Sequence, residues 1–196
     1  MIPGHRIAPL AAATFLLSTS IAFAQDAPAS AADAATVARG KYLVTIAGCN
    51  DCHTPMVMGP NGPERDMTRM LSGHPETLEM PPVPPLPPGP WGAVAAATFT
   101  AWAGPWGVSF TANITPDMET GLGKWTFQNF KDTIRTGRRM GRGREILPPM
   151  PIPMYQHFTD EDLQAIFAYL RTIPAVKNRV PEPWAPPEAP AAAPTK

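Results

Sequence analysis

Apolar residues recur at helical spacing in three stretches of this 196-residue chain. Val37, Gly40, Leu43, Ile46 and Ala47 mark one side of a helix over 34–47. Phe127, Phe130 and Ile134 mark a second, with Thr126 as its cap and Gly137 as its stop. Leu163, Ile166, Phe167 and Leu170 stand at i, i+3, i+4 and i+7 of a third. Thr159 is placed to cap it, the acids Asp160, Glu161 and Asp162 suit the positive end of its dipole, and Pro174 ends it.

Between and around these helices the pattern breaks down. Residues 81–90 hold seven prolines, which favour polyproline II and exclude a helix or a central strand. Trp91, Trp102 and Trp106 follow among Gly and Ala, so the segment reads either as a partner-docking surface or flap, or as an extended loop anchored by its aromatics. After Pro181 the composition is again Pro and Ala, which predicts a disordered or extended tail over 179–196. At the other end, His5 and Arg6 precede a mostly apolar run from Ile7 to Ile21, and Ala22-Phe23-Ala24 is a small-x-small cleavage site. The run is shorter than the roughly 20 residues that a membrane span requires. Residues 1–24 are therefore expected to be a cleaved signal peptide, 25–33 a flexible leader, and the mature protein to be exported without a transmembrane segment.

Composition sharpens this. Lys and Arg number 16, as do Asp and Glu, and only 16% of residues are charged, which argues against nucleic acid as a partner. Beyond residue 24 there are 29 Leu, Ile, Val and Phe, about 17%, fewer than a chain usually needs to build its own core. Something else is expected to supply apolar volume.

Gly48-Cys49-Asn50-Asp51-Cys52-His53 contains Cys-x-x-Cys-His, the attachment signature for c-type haem. Two sulfurs about one helical turn apart can bond the two vinyl groups of one porphyrin, and His53 then lies beneath the ring, facing the iron. Both cysteines of the chain are consumed in this way, and the macrocycle supplies the missing core. Three other chemistries use such a pair. A dithiol redox site expects a βαβ context, a zinc site needs two more ligands, and a structural disulfide suits an exported protein. No βαβ context surrounds the pair, and His74 and His157 stand alone.

A helix with Gly40 ahead of Cys-x-x-Cys-His, and a late helix carrying Ala168-Tyr169-Leu170, resemble the class I cytochromes c. So does the middle of the chain, Asn113-Ile114-Thr115-Pro116-Asp117 followed by Thr120-Gly121-Leu122-Gly123-Lys124-Trp125-Thr126, which is similar to bacterial periplasmic members that serve dehydrogenases. The resemblance covers 34–54 and 108–176. It implies an all-α class I fold over 34–178 around one covalent haem c, in which the two outer helices cross where Gly40 admits Tyr169. Residues 55–108 form a Pro/Gly-rich loop insertion within it.

The resemblance also implies a sixth ligand. Leu147-Pro148-Pro149-Met150-Pro151 resembles the family's ligand loop, which selects Met150, with Met154 as the other candidate. Prolines on both sides would hold that backbone extended. A thioether ligand stabilises reduced iron. His74 and His157 are expected at the surface or in turns. His53 and Met150 lie 97 positions apart, more than the family usually needs, and the surplus falls in the insertion. Arg135, Arg138, Arg139, Arg142 and Arg144 form a basic run that suits haem propionates, an acidic redox partner, or solvent alone.

The function these features imply is single-electron transfer in the periplasm, from a dehydrogenase donor to an oxidase or another cytochrome. Cys49 and Cys52 would hold the haem, and His53 and Met150 the iron. With both axial positions filled the chain is not expected to be an enzyme. The alternatives are a peroxidase-like haem protein with an open sixth position, and a tightly held cytochrome subunit of a dehydrogenase.

Overall fold

A computed structural model describes residue 1 and residues 31–84 and 92–186. The expected signal peptide and the start of the leader, the second half of the proline run with Trp91, and the end of the tail lie outside these residues.

Helix α1 runs from Ala31 to Ile46 and α5 from Asp160 to Leu170, and the two pack against each other. Their meeting point is Gly40. A Cβ built there would collide with the Ala165 carbonyl oxygen and lie 2.8 Å from the Tyr169 Cβ, so only glycine allows the helices to approach this closely. The buried side of α1 is Gly40, Leu43 and Val44, whereas Ile46, placed on that side by the sequence pattern, is 60% exposed. At 3.6 residues per turn Val44, not Ile46, keeps phase with Gly40. In α5 the hydroxyl of Thr159 accepts a hydrogen bond from the Asp162 N–H at 3.0 Å, and Leu163, Ala165, Ile166, Phe167 and Leu170 are buried.

Helix α2, Cys49–His53, follows directly on α1 through Gly48, whose left-handed φ of 68° turns the chain. Helix α3, Phe127–Thr136, starts in a reciprocal capping box between Thr126 and Asn129 and stops at Gly137, φ 67°. It buries Phe130, Thr133 and Ile134 against α5 and the short helix α4, Ile152–Tyr155. One core cluster includes buried side chains of α1, α3, α4 and α5.

The expectation of an all-α fold is corrected by the inserted segment. Strands β1, Met56–Gly59, and β2, Gly62–Arg65, form an antiparallel hairpin. Strands β3, Val94–Ala95, β4, Ala101–Gly104, and β5, Gly107–Phe110, form a three-stranded antiparallel sheet in the order β3-β4-β5. The sheet has its own small core of Ala101, Ala103, Val108 and Phe110. These strands are two to four residues long, too short for a clear period-two pattern in the sequence. The segment read as a loop is therefore partly a sheet.

The expected tail also begins differently. Trp184 exchanges both backbone hydrogen bonds with Val108 at 3.0 Å and extends the free edge of β5, so residues up to 186 lie against the fold. His74 is corrected as well: it is fully buried, between Thr100 and the ring of Phe110, while His157 is exposed.

Candidate haem site

A cavity opens between these helices, strand β5 and the loops that join them. The cavity measures about 710 Å³, within the range of cofactor pockets. On the helical side Phe130, Ile134, Leu163, Ile166 and Leu170 present apolar faces to it. On the side of the insertion stand Ser109, Phe110 and Thr111, with Ala112 to Ile114 next in the chain. Leu147 and the run from Pro149 to Ile152 close one end, and Val180 to Pro183 contribute an edge.

Cys49, Cys52 and His53 all line this space. They do so because α2 is a single turn that brings residues three apart to one face. The two cysteines are not joined to each other as a disulfide. Burial pushes the Cys49 thiol up to about 11, and it raises Cys52 too, with the Asp51 carboxylate adding to the rise. Both therefore remain protonated at neutral pH. A dithiol redox pair has the opposite property, a lowered thiol pKa. Among the described residues no group of three or more His, Cys, Asp or Glu side chains is placed to hold a metal ion, which leaves the zinc alternative without ligands there.

His53 is buried, and its Nδ1 lies 2.7 Å from the Ala112 carbonyl oxygen. A carbonyl can only accept, so Nδ1 carries the proton and Nε2 keeps its lone pair. Burial lowers the His53 pKa, and the bond to Ala112 partly opposes that. A neutral imidazole with its second nitrogen tied to a carbonyl is the form that ligates iron.

Met150 lines the cavity, whereas Met154 is 69% exposed and does not. The 147–151 loop is not extended as its flanking prolines predict. It bends at Met150 and passes into α4, with Ile152 N–H donating back to the Met150 carbonyl at 2.8 Å.

The arginine run divides. Arg135 straps α3 to the start of α5, donating to the Gln156 and Phe158 carbonyls and to Asp160. Arg139 lies over the Trp125 ring at 5.7 Å, and both line the cavity. Arg144 lines it too, 3.4 Å from Glu182. Arg138 donates to the Gly143 carbonyl, and Arg142 borders a smaller surface cleft with Arg139, Met140 and Glu182.

Several lining groups carried no signal in the sequence. Tyr155 lines the cavity and its hydroxyl donates to the Ala47 carbonyl, just before the attachment motif. Burial pushes its pKa up to about 12, so it stays a donor. Arg179 and Ser109 were also unmarked, because neither belongs to a local pattern.

These features meet the demands of a covalent porphyrin: two thiols on one wall, a neutral imidazole beneath, apolar faces around, and arginines at one end. The cytochrome c family profile matches residues 37–174. The chain belongs to the cytochrome c family. Haem c is accordingly its cofactor, Cys49 and Cys52 fit the attachment motif, and electron transfer is its chemistry. As a cytochrome c it is similar to the fructose dehydrogenase cytochrome subunit of Gluconobacter japonicus, at 29% identity over 82% of this chain and 27% of that one. It is similar to the cytochrome c subunit of the quinone alcohol dehydrogenase of Gluconobacter oxydans, at 28% over 88% and 29% respectively. The gluconate 2-dehydrogenase cytochrome c subunit of Pantoea cypripedii matches at 29% over 79% of this chain and 26% of that one. The chain thus spans less than a third of the length of these relatives. No helix among the described residues is long and apolar enough to cross a membrane.

Proposed function

We propose that this cytochrome c domain, over 34–178, carries single electrons in the periplasm from a dehydrogenase to a downstream acceptor. His53 and Met150 would be its axial ligands and Cys49 and Cys52 its attachment points. The observation that carries the ligand assignment is that His53, with a free Nε2, and Met150 both line one apolar cavity while Met154 faces solvent. Bound there, haem c supplies an iron that cycles between ferric and ferrous states by one electron.

The residues of the chain have separable tasks. Ala112 fixes the His53 tautomer and the plane of its ring. Phe130, Ile134, Leu163, Ile166 and Leu170 exclude water, which favours the less charged, reduced state. Arg139, stacked on Trp125, and Arg144 are placed to pair with propionate carboxylates. The exposed Arg138 and Arg142 beside them suit an acidic partner surface. Export by residues 1–24 belongs to the same reading, since haem of this type and its partners are expected there.

The test is the absorption spectrum of protein matured in a periplasm, with and without Met150→Ala. The expected result is low-spin covalent haem with a sulfur-to-iron charge-transfer band that disappears in the variant. A band that survives would move the ligand to another Met, and a high-spin resting spectrum would favour a catalytic haem. The names of the relatives favour a second form of this reading, an integral part of a dehydrogenase complex. Stable co-purification with a dehydrogenase separates that form from a free carrier.

A further inference from the structure

We propose that Ser109 is a positioning residue for the distal ligand: from the inserted sheet it latches the loop that presents Met150. The proposal rests on Met150 being that ligand.

The loop is tied to α4 on its far side, where Met150 and Pro151 accept backbone bonds from Ile152, Met154 and Tyr155, but the 147–149 arm makes no backbone bond of its own. Pro148, Pro149 and Pro151 remove three N–H donors around Met150. Among the described residues one hydrogen bond reaches the backbone of 147–149, and it comes from the Ser109 hydroxyl to the Pro148 carbonyl at 2.5 Å. The Trp102 carbonyl is also near Ser109 Oγ, but at 3.4 Å, so the single hydroxyl proton goes to Pro148. Pro148 precedes Met150 by two residues, and both Ser109 and Met150 line the cavity.

Ser109 itself is held from both sides. It pairs with Trp102 of β4, and the neighbouring Val108 is bonded to Trp184 on the opposite edge. Next along the strand, Phe110 packs edge-on against Trp184 at 5.5 Å and lies against His74 at 4.9 Å. Gly107 admits the Trp184 backbone where a Cβ would collide with it. The donor is thus preset by paired and packed structure while the acceptor sits on the arm of the loop that has no other bond, the arrangement by which a supporting shell fixes a metal ligand. The inserted segment thereby sets how firmly the thioether is held.

The consequence is measurable as competition. An external ligand binds only when Met150 is displaced, so its apparent affinity rises with the fraction of open loop. Oxidised holoprotein is titrated with imidazole, following the charge-transfer band, for the parent, Ser109→Ala, Ser109→Thr, Met150→Ala and the control Val44→Ala in the α1–α5 core. Loss of one hydrogen bond predicts that Ser109→Ala binds imidazole about fivefold more tightly. Ser109→Thr, which keeps the hydroxyl, is expected to stay within about twofold of the parent. Val44→Ala is expected to unfold at lower denaturant without changing imidazole affinity. If Ser109→Ala matches the parent, or if Val44→Ala tightens imidazole as much, the latch is overturned. If the band survives in Met150→Ala, the ligand assignment has failed instead. Should Ser109→Ala not load haem, Ser109→Val against Ser109→Thr makes the same comparison at nearly equal shape.

Discussion

The helical wall of the cavity and the inserted wall are held by different forces. α1, α3 and α5 bury aliphatic and aromatic faces in one continuous core, and their ends are closed by local caps at Thr126 and Thr159. The inserted wall has a core of four side chains, of which Phe110 alone is large, and depends on polar groups from far along the chain. Asn178 is its keystone: fully buried, it accepts from Arg69 and from the Glu76 N–H, and donates to the Ser72 and His74 carbonyls. The four buried side-chain polar atoms without a partner among the described residues, on Arg69, Ser72, Trp106 and Thr111, are all in this part. A wall built from apolar stripes tolerates exchange of one stripe residue for another of similar size. A wall built from directed hydrogen bonds depends on single residues.

The largest effect should come from the one element both walls share. Replacing Cys49 and Cys52 together by Ala is expected to abolish covalent haem, read as the loss of the haem mass from the matured protein. Both walls should then lose order together, as seen by circular dichroism. Retained covalent haem would contradict the attachment reading.

Within the helical wall, Gly40→Ala forces a Cβ into the backbone of α5. Overpacking at a helix crossing predicts a loss of about 3 kcal/mol, measured as a lower denaturant midpoint with an unchanged slope. Within the inserted wall, Asn178→Ala strands buried partners on both sides of it. A loss of about 2 kcal/mol is expected, with hydrogen exchange accelerated in 69–76 and not in α5. Equal acceleration in both regions would erase the distinction between the walls.

The smallest effect concerns His74. Burial holds its pKa below the ordinary 6.5, so the folded state prefers it neutral. The unfolded chain then binds more protons once the pH falls below about 6.5, and stability contributed by the neutral ring is lost as the pH drops further. The slope added by this one group cannot exceed about 1.4 kcal/mol per pH unit. His74→Gln should flatten the acid side of the stability profile by that amount or less, and leave stability above pH 7 pH-independent to the same extent as in the parent.

The legibility of the two walls differed in the same way as their forces. The helices at 127–136 and 160–170 could be read almost to the residue, because a cap, a 3.6-residue stripe and a stop are all local. The apolar pattern of α1 does not fix its phase at Ile46, because both Val44 and Ile46 are apolar and only the packing against α5 chooses between them. The strands leave no sequence signal because each is shorter than a recognisable period-two pattern, and their partners, Trp184 among them, lie up to 76 positions away.

By itself the sequence determined the chemistry. Cys49, Cys52 and His53 stand within one helical turn, so their spacing alone dictates a common face and a common ligand. It also determined the helical frame, since amphipathic periodicity and capping act over a few residues. Only the tertiary structure decided which methionine faces the cavity, which arginines reach it, that His74 is interior, and that Ser109 meets Pro148. Those relations join residues outside any one element, such as Ser109 with Pro148 and His74 with Asn178. Their register depends on how helices, sheet and closing segment pack around a single space, which no local pattern encodes.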